Sequence, residues 1–241
     1  MSGFGKLTFT ELKIFLREPQ ATLLTIALPA AITAMFGFIA QPKTTDDPIK
    51  YYFPTMSLSV GLAILAFNML PTILAAYREK GILRRLVTTP ISPSLLLGAQ
   101  VAVSVIMAVV STILVVVVGN LAFGFDLPKQ FGGFVVVVAL GMLALFAVGV
   151  FVAAVVPTSR AATAVGVLIF FVSLFLGGVF IPKELMPSVM SRIGDYTPLG
   201  ALVQAMRDTW SGTWPQPTHL GVLAGCIALF GLLAARLFRW E

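Results

Sequence analysis

Five charged side chains, Arg78, Glu79, Lys80, Arg84 and Arg85, crowd into the start of the segment Tyr77–Pro93, which ends in Pro90 and Pro93. Recognition is the chemistry this spacing suits. Glu79 stands near a helix start, where a carboxylate complements the dipole. Ile82, Leu83 and Leu86 form an apolar stripe at helical spacing, and Arg84 and Arg85 flank it. Two readings fit: a short basic helix that docks on another protein, or membrane-surface charge that snorkels to lipid phosphates.

The residue types that covalent catalysis needs are scarce. There is one histidine, His219, and one cysteine, Cys226, so a metal site is not expected. No Gly-x-x-x-x-Gly-Lys-Ser/Thr occurs; Gly5-Lys6 continues with Leu7, and the chain has no phosphate-cradling loop of its own. No serine sits in a nucleophile-elbow pattern. The expectation is a protein that is not an enzyme and binds no cofactor itself.

The elements that must position the basic segment are membrane spans. The 241 residues are 58% hydrophobic and 11% charged, with a mean hydropathy of +0.98. A soluble domain carries about a quarter charged residues. Spanning the hydrocarbon core takes about 20 apolar residues. Six runs qualify: Ala21–Ala40, Phe53–Ala76, Leu95–Ala122, Phe131–Val156, Ala162–Ile181 and Leu220–Leu237. The fold expected is all-α and polytopic, one membrane domain over residues 1–241. An even number of spans puts both termini on one side. That side holds ten of the sixteen Lys and Arg and four of the ten acids; the positive-inside rule makes it cytoplasmic. The net charge of +6 therefore reads as topology and not as affinity for nucleic acid.

Two further features frame the spans. Phe4–Glu18 reads as an interfacial helix, with Lys6, Lys13 and Arg17 on one arc and Phe4, Leu7, Leu12, Ile14 and Phe15 largely opposite. Glu11 and Glu18 project among the apolar residues; either they face protein, or the helix is only partly inserted. On the outer side, Leu185–Ile193 and Leu199–Trp210 are half-length stretches punctuated by Pro187 and Pro198. They are too short to span and read as re-entrant or external helices. Within the spans the polar groups are amides and hydroxyls, among them Asn68, Gln100 and Asn120. Interhelical hydrogen bonding is their plainer use and substrate contact the alternative. Gly221-x-x-x-Gly225 reads as a packing face. No Asp, Glu or Lys lies inside a span, so an ion-coupled carrier lacks its usual parts.

Glu79, Gly81, Leu83, Leu86, Thr89 and Pro90, following the second span, resemble the first intracellular loop of type-2 ABC transporter permeases. Gly178-Val-Phe-Ile-Pro182, Leu185-Met-Pro187, Tyr196-Thr-Pro198 and Ala205-Met-Arg207 resemble that family's outer signature. Thr197-Pro198 departs from its common Asn-Pro. The daunorubicin-exporter-like drug-resistance permeases are the most similar subgroup. The resemblance implies the membrane subunit of an exporter in a bacterial inner membrane, paired with a second permease as homo- or heterodimer. Two copies of a cytoplasmic ABC ATPase would bind the ATP and Mg. It makes residues 79–89 a coupling helix, with Glu79, Gly81, Ile82, Leu83, Arg84, Arg85 and Leu86 at the ATPase. It makes the interfacial helix, with Glu11, Lys13, Arg17 and Glu18, a secondary contact with the ATPase and with lipids. It also makes Pro187, Asp195, Pro198 and Arg207 part of an external gate, with Asp195 and Arg207 expected to pair. The cargo expected is an amphipathic or hydrophobic drug or lipid. A stand-alone carrier or channel, and a membrane assembly or immunity protein, are the alternatives.

Overall fold

A computed structural model describes residues 3–39, 49–82, 93–181 and 183–237. Every regular element among them is helical. α1 (Gly3–Arg17) ends at Pro19, which has no N–H to continue the ladder. Thr22 repairs the break: its hydroxyl donates to the Phe15 carbonyl at 3.0 Å. α2 (Pro19–Ile39) then forms the first span. α3 runs from Ile49–Ala63 through a π-helical stretch, Ile64–Met69, into Leu70–Glu79. α4 (Pro93–Phe123), α5 (Phe131–Val155), α6 (Ser159–Leu176) and α9 (Pro217–Leu237) complete six helices long and apolar enough to cross a membrane. Between α6 and α9 lie a 3₁₀ turn (Lys183–Leu185), α7 (Ser188–Asp195) and α8 (Pro198–Ser211).

The helix bounds differ from the apolar runs because caps, not hydropathy, end helices. The fifth span begins before its apolar run, where Thr158 accepts from the Ala161 N–H at 3.2 Å. It stops at Leu176, short of Ile181. Gly178 takes the left-handed conformation with φ 71°, and Gly177, Gly178 and Val179 return their N–H groups to Ser173, Phe175 and Leu174. The second span runs on past Ala76, so Glu79 closes α3 instead of opening the next helix. Gly81, with φ 67°, makes the turn that follows. Leu83, Arg84, Arg85, Leu86, Thr89 and Pro90, most of the expected coupling helix, lie outside the described residues.

α3 is the most enclosed span, and a backbone detail explains why. Pro71 cannot donate to the Phe67 carbonyl, and the π-helical stretch lies just before it. Gly149 on α5 faces the Ala66 carbonyl, and Gly166 on α6 faces that of Phe67; a methyl group at either would overlap the oxygen. Lipid supplies no hydrophobic force between helices, so close backbone approach at small residues holds such bundles together. At the expected packing face, a Cβ added at Gly221 or Gly225 would meet nothing among the described residues. Between α4 and α5 an apolar groove of about 480 Å³ opens to the surroundings. Its one polar residue, Thr112, spends its hydroxyl on the Ala108 carbonyl, so the groove offers hydrocarbon contact only.

α8 is buried along Leu199–Val203 and at Ala205, Met206, Thr209 and Trp210. It packs on α5, α9 and α3, while α7 is largely exposed.

Candidate functional site

The chemistry-bearing residues gather at the two ends of the bundle. At the basic end, three consecutive residues at the close of α3 each reach a different neighbour. Tyr77 donates its hydroxyl to Glu11 Oε2 on α1 at 2.7 Å. Arg78 turns the other way, donating from Nη1 to the Ala154 carbonyl at 3.2 Å and from Nη2 to that of Val156. A guanidinium on the terminal carbonyls of α5 meets the negative end of that helix. The Glu79 Oε2 accepts from the backbone N–H of Ser159 at 2.9 Å and from its hydroxyl at 2.7 Å. These are the first donors of α6, so Glu79 complements a helix dipole as its spacing suggested. The helix is one that begins eighty residues later in the chain. Arg78 and Glu79 thus clamp the tight turn between α5 and α6 by its two ends.

Gln100 joins the same end from α4, donating from Nε2 to Glu11 Oε2 at 2.5 Å and to Tyr77 Oη at 3.1 Å. Glu11 is 8% exposed and Gln100 4%. Of the two readings of α1's acids, Glu11 faces protein. Its carboxylate is spent on Tyr77 and Gln100. Glu18 is exposed at the α1–α2 break without a capping bond, and Lys6, Lys13 and Arg17 are exposed as their arc requires. The apolar arc divides: Phe15 is buried, Leu7 and Leu12 are partly buried, and Phe4 and Ile14 are exposed. Ile82 is half-buried against the core.

At the opposite end the expected Asp195–Arg207 pair does not form. Asp195 is bonded to Lys183, and its Oδ1 lies 3.6 Å from His219 Nε2. Arg207 donates to the Gly178 carbonyl at 2.9 Å and stacks over the Tyr52 ring at 4.6 Å. Tyr52 in turn donates to the Val179 carbonyl at 3.1 Å. The two charges are close in sequence, but the chain turns at Thr197-Pro198 and sends them to different neighbours. Pro187 precedes α7 as its cap residue, and Pro198 starts α8. Thr197 does the capping that an asparagine would do, accepting from the Gly200 N–H at 3.1 Å. Trp210, on α8, anchors the element by donating to the Asp126 carbonyl at 2.8 Å and meeting Phe134 edge-on at 5.0 Å.

Of the amides Asn68, Gln100 and Asn120, two are used internally: Gln100 as above, and Asn120 through a bond to the Phe125 carbonyl at 2.9 Å. Asn68, on the π-helical stretch, is partly exposed. No group of three or more metal-ligating side chains exists among the described residues.

The ABC-2 type transporter family pattern matches residues 3–210. The chain is also 27% identical, over 238 residues, to the "Daunorubicin resistance ABC transporter permease protein DrrB1" of Streptomyces coeruleorubidus. That alignment covers 93% of this chain and 82% of the relative.

Proposed function

Because the chain belongs to the ABC-2 type transporter family, we propose that it is the membrane half of an ATP-driven exporter. A transmembrane ABC transporter subunit of this family implies an ABC ATPase partner. The finer reading concerns direction, cargo and contact. Two ATPase subunits bind at the basic end, which faces the cytoplasm, and residues 79–89 carry the contact through Arg84, Arg85, Ile82, Leu83 and Leu86. A second permease, identical or related, completes the assembly in a bacterial inner membrane.

One observation carries the coupling: Tyr77, Arg78 and Glu79, at the mouth of the basic loop, bind α1, α5 and α6. A displacement of that loop is passed to several spans at once, without any need for chemistry in the chain itself. ATP acts through its different affinity for inward- and outward-open states. Arg78 and Glu79 are then internal struts of the transmission, and Arg84 and Arg85 beyond Gly81 are the contact. The cargo we propose is an amphipathic or hydrophobic molecule, a drug or lipid. The spans carry few charges, and the relative is named for daunorubicin resistance. Asn68, at the π-helical stretch, is the in-span amide best placed to touch it.

Photocrosslinking tests the contact. A benzophenone residue at position 85 is expected to capture the ATPase subunit, and one at exposed Leu185, at the other end, is not. Equal capture from both positions, or none from 85, would remove the assignment.

A further inference from the structure

Glu11 sits where a carboxylate is expensive to keep. It is 8% exposed, and among the described residues no lysine or arginine pairs with it. It relies on two neutral donors, Tyr77 Oη at 2.7 Å and Gln100 Nε2 at 2.5 Å, which lie 3.1 Å from each other. Their positions give the triad its meaning. Tyr77 is in the last turn of α3 and Gln100 near the start of α4. They are the two legs of the basic loop, residues 80–92. One side chain on α1 therefore holds both legs of a loop to which it is not adjacent in sequence.

We propose that Glu11 is a positioning residue that clasps the two legs of the loop to α1, so that loop and α1 move as one body during transport. The proposal rests on the loop being the ATPase contact. Withdrawing either leg alone would strand a buried carboxylate short of a donor, a costly state. The low-energy motions are those in which α1 follows. Glu11 thereby converts a push on the loop into a movement of the interfacial helix along the membrane surface. Lys13 and Arg17, on the exposed side of α1, travel with it.

The test uses the complex of this chain with its ATPase in lipid nanodiscs, in a Cys226→Ser background. Nitroxide pairs are placed at Lys13→Cys with Lys80→Cys and, separately, at Lys80→Cys with Arg236→Cys; all three native residues are exposed. Pulsed electron–electron distances are read without nucleotide and after trapping with ATP and vanadate. In the parent, the 80–236 distance is expected to change on trapping while the 13–80 distance stays single and narrow. Glu11→Ala is expected to let trapping move position 80 without position 13. The loss of one charge-assisted bond shifts the clasped-to-released ratio by about ten- to a hundredfold. Glu11→Gln, which keeps an acceptor, is expected to retain more of the clasp than Glu11→Ala. Should Glu11→Ala fail to assemble, Tyr77→Phe, which removes one hydroxyl, carries the same test with a smaller split.

A residue that merely stabilises the fold would lower the melting temperature without a nucleotide-dependent separation of 13 from 80. A 13–80 distance that stays single in every variant overturns the clasp. An 80–236 distance that ignores nucleotide overturns instead the reading of the loop on which the clasp rests.

Discussion

Replacing Arg84 and Arg85 together by glutamate is expected to abolish transport-coupled ATP hydrolysis while the chain still inserts and assembles as a permease. The two arginines lie beyond the left-handed turn at Gly81, in the stretch whose neighbours Arg78 and Glu79 are already engaged with α5 and α6. On the proposed reading Arg84 and Arg85 carry the loop's contact with the ATPase. Turning two attractive contacts into repulsive ones at a docking surface costs several kcal/mol, and every 1.4 kcal/mol is about tenfold in affinity. The expected loss is therefore at least about a hundredfold in the ATPase's affinity for the permease, seen as loss of co-purification and of stimulated hydrolysis. Arg236→Glu, at the same end on α9, is the control and should leave both intact. Normal transport by the double variant would mean that the loop cations serve lipid phosphates only.

The second large effect is expected at Gly149 and Gly166. Valine at either position must displace a backbone carbonyl, that of Ala66 or Phe67, and not the end of a flexible side chain. Overpacking costs about 1–3 kcal/mol even where side chains can shift, and here the obstacle is main chain on the most enclosed span. Gly149→Val and Gly166→Val should sharply lower the thermal midpoint of the detergent-purified protein and its yield in the membrane. Gly231→Val, on α9 where an added Cβ meets nothing, should change neither. If Gly166→Val melts with the parent, the close approach of α6 to the π-helical stretch is wrong.

Much of this architecture was legible in the residues because lipid imposes simple rules. Apolar runs near the bilayer thickness became the six long helices, and half-length runs between prolines became α7 and α8. The basic arc of Phe4–Glu18 became the exposed side of α1. What escaped was everything set by partners distant in sequence. Glu79 was read as a dipole complement from its neighbours in sequence, and its bonds to Ser159 at the start of α6 had no local signal. Glu11 looked like a flaw in an amphipathic helix until Tyr77 and Gln100 supplied its donors. Asp195 and Arg207 were matched by charge and nearness, yet a turn at Thr197 and the presence of Lys183 and Tyr52 redirected both. The π-helical stretch had a signal that went unread: Pro71 cannot give the Phe67 carbonyl its α-helical donor, and Gly149 and Gly166 leave room for the carbonyls of Ala66 and Phe67.

The chain is expected to move its cargo only when an ATPase drives it. The direct measurement is flux of daunorubicin, as an amphipathic probe, into inside-out membrane vesicles holding the chain with and without its ATPase. Accumulation is expected to require ATP and both subunits and to disappear when the ATPase is omitted. Accumulation by this chain alone, or driven by an ion gradient without ATP, would contradict it.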